Sequence, residues 1–372
     1  MNLYIDREEL IRGLSRVQGI VERRTTNLAL AHVLLSAEGD VLRMTATDTL
    51  VSLVADYEAR IEEAGEISID AQSFHQIARH LPESTVHLKV ESGNRLAIVS
   101  GQSQFHLVGM SAEDYPPLPG RDDQSPLGVN GSVLHRIINE TLYAVCQDDN
   151  RYGLNGAHLE QVTAEDGSAR VRMVTTDGSR LCFSETTYEG EFQMGRRMLL
   201  PRKALDEVRK LCEGDDREWS IAFGERSATF ETQGVTMMVR LVDGEFPDYR
   251  QVLPAAHKRR VTLDRVRFSD AMRRVAIVAS DRNHSVRFAF EADKVILSAQ
   301  NVDLGNAREE LTVEMDGEPL ETGFNVQYFM DIIRHTSGDK LMLEMGDALD
   351  PCIVRVPDRD NCLFVVMPIR LD

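Results

Sequence analysis

The paired carboxylates Asp148 and Asp149 are the residues of this sequence best placed for chemistry. Adjacent aspartates can hold a divalent metal ion, so one interpretation is a metal-dependent nuclease or phosphoesterase that uses this pair. The pair also follows a predicted helix, and a solvated helix end is the better interpretation. The sequence has no GxxxxGK[ST], GxGxxG, HExxH or GxSxG motif, so no nucleotide, zinc or serine-hydrolase site is indicated. We therefore expect no enzyme, cofactor or metal, and keep the metal-dependent nuclease as the alternative.

The composition indicates a cytosolic globular protein. No apolar run approaches the roughly 18 residues that span a bilayer, and the N-terminus lacks a cationic start followed by an apolar core. The number of cysteines is odd and none has CxxC spacing, which favours buried free thiols over disulfides or a zinc site. The five cysteines are Cys146, Cys182, Cys212, Cys352 and Cys362.

The elements that would position any site are repeated three times. Segments beginning at Ile67, Leu199 and Gly323 each contain an apolar strand, an amphipathic helix, alternating strands and an exit that contains proline. Such a repeat predicts one structural unit used three times. We expect an α+β fold of three repeated domains, each with two helices packed on antiparallel sheet, over residues 1–125, 126–256 and 257–372. The predicted helices are 7–20, 73–81, 132–145, 202–213, 269–280 and 327–336.

Charge is distributed unevenly between these helices and the remainder of the chain. The net charge is −18, which argues against a basic exterior that binds nucleic acid. The six predicted helices nevertheless hold 12 lysine and arginine residues against 8 aspartate and glutamate residues, a net charge of +4. A basic helical surface on an acidic body suits a polyanion held against the helices. A single tryptophan in the chain argues against base stacking, so contacts should be to phosphates and independent of sequence.

Several motifs then resemble one family over the whole length. They are ATD from Ala46, RYGLNG from Arg151, TTDGSRL from Thr175, LVDGEFPDYR from Leu241, GFNV from Gly323 and VMPIRL from Val366. Together they are similar to the bacterial sliding clamp, the beta subunit of the replicative DNA polymerase. The resemblance implies a closed, head-to-tail homodimeric ring around double-stranded DNA. Such a ring is opened by a clamp loader and tethers the replicative polymerase and other replication and repair proteins through short peptide motifs.

The resemblance also implies residues for DNA binding and for dimerisation. The DNA-facing residues carried over from the family are Arg24, Tyr152 and Lys203, and the charge distribution adds Arg202 and Arg209. One side of the dimer interface is the strand with Phe105, and the other is the helix end with Ile277 and Val278.

A peptide pocket between the second and third domains is the last site that the resemblance implies. Apolar walls suit the leucine and phenylalanine of an extended partner peptide, and methionine adapts to varied partners. The implied wall is Leu154, Thr176, Gly178, Arg180, Leu181, Pro247, Val252, Asn325, Tyr328, Val365, Val366, Met367, Pro368, Ile369 and Arg370. The sequence departs from the family pattern at Gly153, Ser179, Gln251 and the terminal Asp372, positions that bear on which partners bind.

Overall fold

Alternating apolar runs form antiparallel strands and amphipathic segments form helices in the computed structural model of this chain. The structure describes residues 1–22, 24–119, 126–148, 150–151, 153–164, 166–189, 194, 198–254, 256–279 and 284–371. The chain divides into two units. The first comprises Met1–His135, Gly190–Gly195 and Lys203–Leu241, and the second comprises Arg136–Glu189, Arg196–Arg202 and Val242–Asp372.

The strands are numbered in chain order. They are β1 Asn2–Asp6, β2 His32–Glu38, β3 Val41–Thr47, β4 Val51–Glu63, β5 Gly65–Asp70, β6 Thr85–Glu91, β7 Arg95–Ser100, β8 Ser103–Val108, β9 Leu127–Asn130, β10 Gly156–Thr163, β11 Ala169–Thr176, β12 Arg180–Thr187, β13 Met198–Pro201, β14 Glu218–Phe223, β15 Ser227–Thr232, β16 Val235–Arg240, β17 Arg259–Asp264, β18 Ser285–Phe290, β19 Lys294–Asn301, β20 Gly305–Thr312, β21 Glu314–Asp316, β22 Leu320–Asn325, β23 Lys340–Met345, β24 Cys352–Arg355 and β25 Cys362–Val366.

Each α-helix lies close to a predicted one. The helices are α1 Arg7–Val17, α2 Ala71–Arg79, α3 Gly131–Thr141, α4 Arg202–Leu211, α5 Arg265–Ala276 and α6 Val326–His335. In α1, Leu10, Leu14 and Val17 are fully buried, which is the single apolar face that their spacing predicts.

The prediction that the fifth helix starts at residue 269 is wrong by four residues. Helix α5 begins at Arg265, because the side chain of Asp264 accepts a hydrogen bond from the Arg267 backbone N–H and caps the helix there. The prediction started too late because it followed the apolar spacing, which begins only where the helix packs against the core.

The first unit is built on a sheet of twelve strands. Its main path runs β8-β7-β6-β1-β4-β16-β15-β14-β9, and β2, β3 and β5 branch from β4 through β3. The pairing of β4 with β16 joins strands that the sequence places in different domains. Among the strands that the structure describes, β8 is an edge of this sheet, so one of its sides has no strand partner there.

The second unit contains two sheets. A nine-stranded sheet has the order β13-β10-β11-β12-β25-β24-β23-β17-β21, and a four-stranded sheet has the order β20-β19-β18-β22. In the nine-stranded sheet, β12 pairs with β25 although about 180 residues separate them along the chain. Helices α5 and α6 pack together, and Phe268, Phe288, Phe324 and Phe329 form an aromatic core between these helices and the four-stranded sheet.

The five cysteines are buried and free, as the sequence predicts. Burial raises the pKa of Cys182 and of Cys212 to about 12, so these thiols stay protonated and unreactive. Among the described helices, none is both long enough and apolar enough to cross a membrane.

Candidate functional site

A largely apolar cleft of about 340 Å³ opens on the second unit. Four segments form it: the segment before β10 that contains Arg151 and Leu154, the β11–β12 hairpin, the end of β25, and the loop that follows Val242. Its lining residues are Arg151, Leu154, Thr176, Gly178, Arg180, Leu181, Pro247, Asp248, Tyr249, Val252, Val365 and Met367.

The β11–β12 hairpin fixes one wall of the cleft. The Asp177 side chain accepts hydrogen bonds from the backbone N–H groups of Ser179 and Arg180, at 3.0 and 3.1 Å. Gly178 has a φ of 91°, a conformation that favours glycine. A Cβ there would also lie 2.7 Å from the Arg151 guanidinium. A side chain at this turn would therefore push Arg151 away from the wall.

Strand pairing forms the apolar floor. Leu181 of β12 lies opposite Val365 of β25, and the Met367 N–H donates to the Ser179 carbonyl at 2.9 Å. Leu181 and Val365 belong to a small cluster with Val174, Phe183, Ile353 and Leu363. Because strand side chains alternate, Val366 points the other way into the main core and does not line the cleft.

A partly buried polar network holds the opposite wall. This wall is a short 3₁₀ turn, Tyr249–Val252. The Tyr249 hydroxyl donates to Glu160 and accepts from Arg172 at 3.0 Å, and Arg250 donates to Glu160 at 2.7 Å. Burial first, and then the hydrogen bond to Glu160, raise the pKa of Tyr249 to about 12. The tyrosine therefore keeps its proton, and the turn stays anchored with Val252 partly exposed at the cleft.

Nine of the fifteen residues predicted for the peptide pocket line this cleft, and six do not. Tyr328 is adjacent, because the Arg180 guanidinium lies 4.7 Å from the centre of its ring. Asn325 caps α6, and the Ile369 N–H donates to the Gly323 carbonyl at 2.7 Å. Arg370 lines a different cavity. The residues that do not line the cleft are Asn325, Tyr328, Val366, Pro368, Ile369 and Arg370.

Three lining residues were missed by the sequence analysis: Arg151, Asp248 and Tyr249. All three lie inside motifs that the resemblance rests on, RYGLNG and LVDGEFPDYR, so the motifs could have indicated them. The glycine at 153 also has a structural reason. Its φ is 87°, and a Cβ would meet the Glu245 carbonyl oxygen at 2.3 Å.

The predicted DNA-facing side chains lie in different surroundings. Arg24 is exposed, and no hydrogen bond or ion pair joins it to another described residue. Lys203 donates to the buried Asp48 carboxylate and to the Ile20 carbonyl at 2.7 Å, while 40% of its side chain stays exposed. Arg209 pairs with Asp206 at 2.9 Å. Arg202 begins α4 and is half-buried, and Tyr152 lies outside the described residues.

The residues predicted for the dimer interface are apolar and accessible. Phe105 is 39% exposed on the edge strand β8. Ile277, directly after α5, is 73% exposed, and Val278 is half-buried. An exposed phenylalanine on an unpaired strand edge is typical of a surface that pairs with another chain.

The aspartate pair that motivated a metal site is only partly described. Asp148 accepts hydrogen bonds from the backbone and side-chain nitrogens of Asn150, each at 3.0 Å, and Asp149 lies outside the described residues. Within the described part of the chain, no group of three or more His, Cys, Asp or Glu side chains is arranged to hold a metal ion.

Known proteins match this chain from end to end. Family models for the N-terminal, central and C-terminal domains of the DNA polymerase III beta subunit match residues 1–119, 128–248 and 250–370. The chain is 34% identical to the beta sliding clamp of Caulobacter vibrioides and 33% identical to that of Pseudomonas aeruginosa, with all of each chain covered. It also superposes on the crystal structure of a DnaN sliding clamp from Bartonella birtlesii bound to griselimycin, with a TM-score of 0.95, 32% identity and full coverage of both chains.

These relatives support the interpretation as a clamp, a non-enzymatic processivity factor. They do not support the metal-dependent nuclease. The chain has the three clamp domains in order, folded as helices and antiparallel sheets, and its relatives match it over the full length. It therefore belongs to the beta sliding clamp family, the beta subunit of DNA polymerase III.

Proposed function

We propose that two copies of this clamp close head to tail into a ring around double-stranded DNA. The observation that carries the proposal is the full-length match to beta sliding clamps, with all three domain models in order. We place the domain borders near residues 125 and 256 and the protein in the cytoplasm. A clamp loader would open the ring, and no cofactor is required.

Such a ring acts by topology rather than by tight binding. A closed ring cannot leave DNA sideways, and it slides because its phosphate contacts are weak and interchangeable. Exposed cations such as Arg24 support contacts of this kind. A polymerase bound to the ring is held at a high effective concentration beside the primer end, so synthesis continues without dissociation.

We propose that the cleft binds short, extended peptides from the replicative polymerase and from other replication and repair proteins. Its floor is apolar, with Leu181 and Val365 almost fully buried, while Val252 and Met367 keep accessible surface. Side chains such as leucine and phenylalanine would fill it. The anchored 3₁₀ turn reduces the entropy lost on binding, because the wall is already ordered.

Loading onto nicked circular DNA tests the ring. The clamp, loaded by a clamp loader with ATP, should remain on the circle during gel filtration and should be lost when the DNA is cut once with a restriction enzyme. A protein that binds DNA directly would be retained on the linear DNA, which would contradict the ring. Incubating the purified protein with DNA and magnesium tests the nuclease alternative, and cleavage would favour it.

Alanine at Arg24 and at Lys203 should have different consequences. Arg24→Ala should lower DNA retention about two- to threefold and leave stability unchanged, because it removes one of several phosphate contacts. Lys203→Ala should lower retention similarly but should also reduce the free energy of unfolding by about 1 kcal/mol, since the buried Asp48 loses its cation. Retention at several salt concentrations and thermal unfolding measure the two effects. A salt-independent, sequence-specific footprint would contradict the phosphate account.

The network behind the 3₁₀ turn should control peptide affinity. Tyr249→Phe removes the hydroxyl that joins Glu160 and Arg172, so the turn should loosen and peptide binding should weaken about three- to tenfold. Isothermal titration with a peptide containing Leu and Phe measures the change. A matched control is Arg43→Gln, which breaks an exposed ion pair with Asp56 in the first unit. Unchanged affinity in Tyr249→Phe would show that the network serves only folding.

A further inference from the structure

A second cavity, of about 520 Å³, lies on one face of the four-stranded sheet. This cavity is polar, whereas the cleft is apolar. Its lining residues include Arg287, Arg308 and Arg370, together with Ser298 and Asn306. Three arginines around one cavity are unusual on a chain whose net charge is −18. This concentration of donors indicates an anionic ligand.

Strand register places two of these arginines in one row. Arg287 of β18 lies opposite Ser298 of β19, and Ser298 lies opposite Arg308 of β20. Adjacent strands are about 4.8 Å apart, so the two arginine backbones are separated by roughly 10 Å. Arg287 and Arg308 each use one nitrogen in an exposed ion pair, Arg287 with Glu321 and Arg308 with Glu310. A guanidinium has five N–H donors, so most donors remain for a ligand.

The C-terminal tail connects this cavity to the cleft. Ile369 forms a bridge to Gly323 of β22, and a Cβ on Gly323 would lie 2.6 Å from Leu371 and 2.8 Å from the Ile369 carbonyl oxygen. Glycine at 323 therefore lets the tail pack on the sheet, which places Arg370 at the cavity. Met367, three residues earlier, lines the cleft. Three extended residues span about 10 Å, so the two sites are within reach of one short peptide.

We propose that this arginine cavity is a second subsite for partner peptides, which binds acidic side chains flanking the apolar residues held in the cleft. The proposal rests on the proposed peptide-binding function of the cleft. Each carboxylate would accept hydrogen bonds from Arg287 or Arg308. The cavity thus adds a charge-based selection between partners whose apolar residues are alike.

Two observations favour a peptide carboxylate over nucleic acid. Phe288 and Leu297 alternate with Arg287 and Ser298 and are fully buried, so the arginines point away from the core that the sheet shares with α5. The proposed ring holds DNA on the side of the helices. In addition, Glu310 and Glu321 flank the arginines and would repel a polyanion with many phosphates, while leaving room for one or two carboxylates.

Peptide titrations with the full-length clamp test the proposal. One peptide carries Leu and Phe with glutamates within four positions on either side, and its partner has glutamine at those positions. Wild-type protein should bind the acidic peptide about three- to tenfold more tightly, with the difference shrinking as salt rises. The double variant Arg287→Gln/Arg308→Gln should bind both peptides with the affinity that wild type has for the glutamine peptide.

Lys340→Gln is the matched control. Lys340 begins β23, is exposed, and lines neither the cavity nor the cleft. This variant should keep the preference for the acidic peptide. Equal binding of both peptides by wild type, or a preference that survives in the double variant, would overturn the subsite and leave the cleft proposal standing.

Two further outcomes separate the remaining possibilities. If neither peptide binds, the cleft proposal itself fails, and the subsite fails with it. If a single-stranded oligonucleotide displaces the acidic peptide from wild type and loses affinity for the double variant, the ligand is nucleic acid and the peptide proposal is overturned.

Discussion

The substitution Ile277→Asp is expected to convert the proposed dimer into monomers. Ile277 is 73% exposed, so the substitution should leave the folded subunit intact and act only on an interface. Burying an unpaired carboxylate where an apolar anchor packs costs several kcal/mol, and a ring has two copies of the interface. Sedimentation velocity at micromolar concentration measures the change. Val278→Asp should give the same result, but Val278 is half-buried, so its thermal unfolding must be compared with wild type.

Mixing variants tests the head-to-tail arrangement directly. Phe105→Asp should also give monomers, because Phe105 is the proposed contact on the other side of the interface. An equal mixture of Phe105→Asp and Ile277→Asp subunits should recover dimers. In such a dimer both substitutions fall in one interface, and the second interface is wild type. A symmetric interface that pairs like surfaces would not be rescued in this way.

The matched control for the interface is an exposed apolar residue elsewhere. Leu349 is 58% exposed in the loop between β23 and β24, so Leu349→Asp should stay dimeric. Dimers that persist in both Phe105→Asp and Ile277→Asp would show that the interface lies on another surface.

Removal of residues 367–372 is expected to abolish peptide binding and processive synthesis. The deletion removes Met367 from the cleft wall. A peptide with Leu and Phe that buries about 300 Å² of apolar surface gains roughly 7 kcal/mol before ordering costs, which leaves an affinity weaker than micromolar. Loss of one wall should weaken binding at least tenfold. Titration with a polymerase-tail peptide and primer-extension length on a long template measure the two effects.

Stability should change little in the same variant. The tail contributes the Met367 and Ile369 backbone hydrogen bonds to Ser179 and Gly323, worth about 1 kcal/mol each, and dimerisation should be unaffected. Deletion of Asp372 alone is the control and should bind peptide normally. The variant Gly323→Val should displace the tail without shortening it, because a Cβ there overlaps Leu371. If peptide binding is unchanged after the full deletion, the binding site lies elsewhere.

Local sequence determined the helices, the repeat and the family of this protein. The spacing of Leu10, Leu14 and Val17 is enough to predict α1, because helical periodicity acts within a few residues. The motifs around Arg151, Thr175 and Leu241 identified the family, and they contain most of the residues that line the cleft. Residues close together in sequence, such as Asp264 and Arg267 at the start of α5, could also have been read as a cap.

Only the tertiary structure decided which distant residues meet. The pairings of β4 with β16 and of β12 with β25 join strands of different predicted domains. Lys203, predicted to face DNA, also neutralises Asp48, 155 residues away, and Tyr249 meets Glu160 and Arg172. Arg287 and Arg308 share a cavity with Arg370 because three strands and the tail lie side by side. Register between strands depends on the packing of whole sheets, and no local pattern in one strand specifies its partner across the sheet.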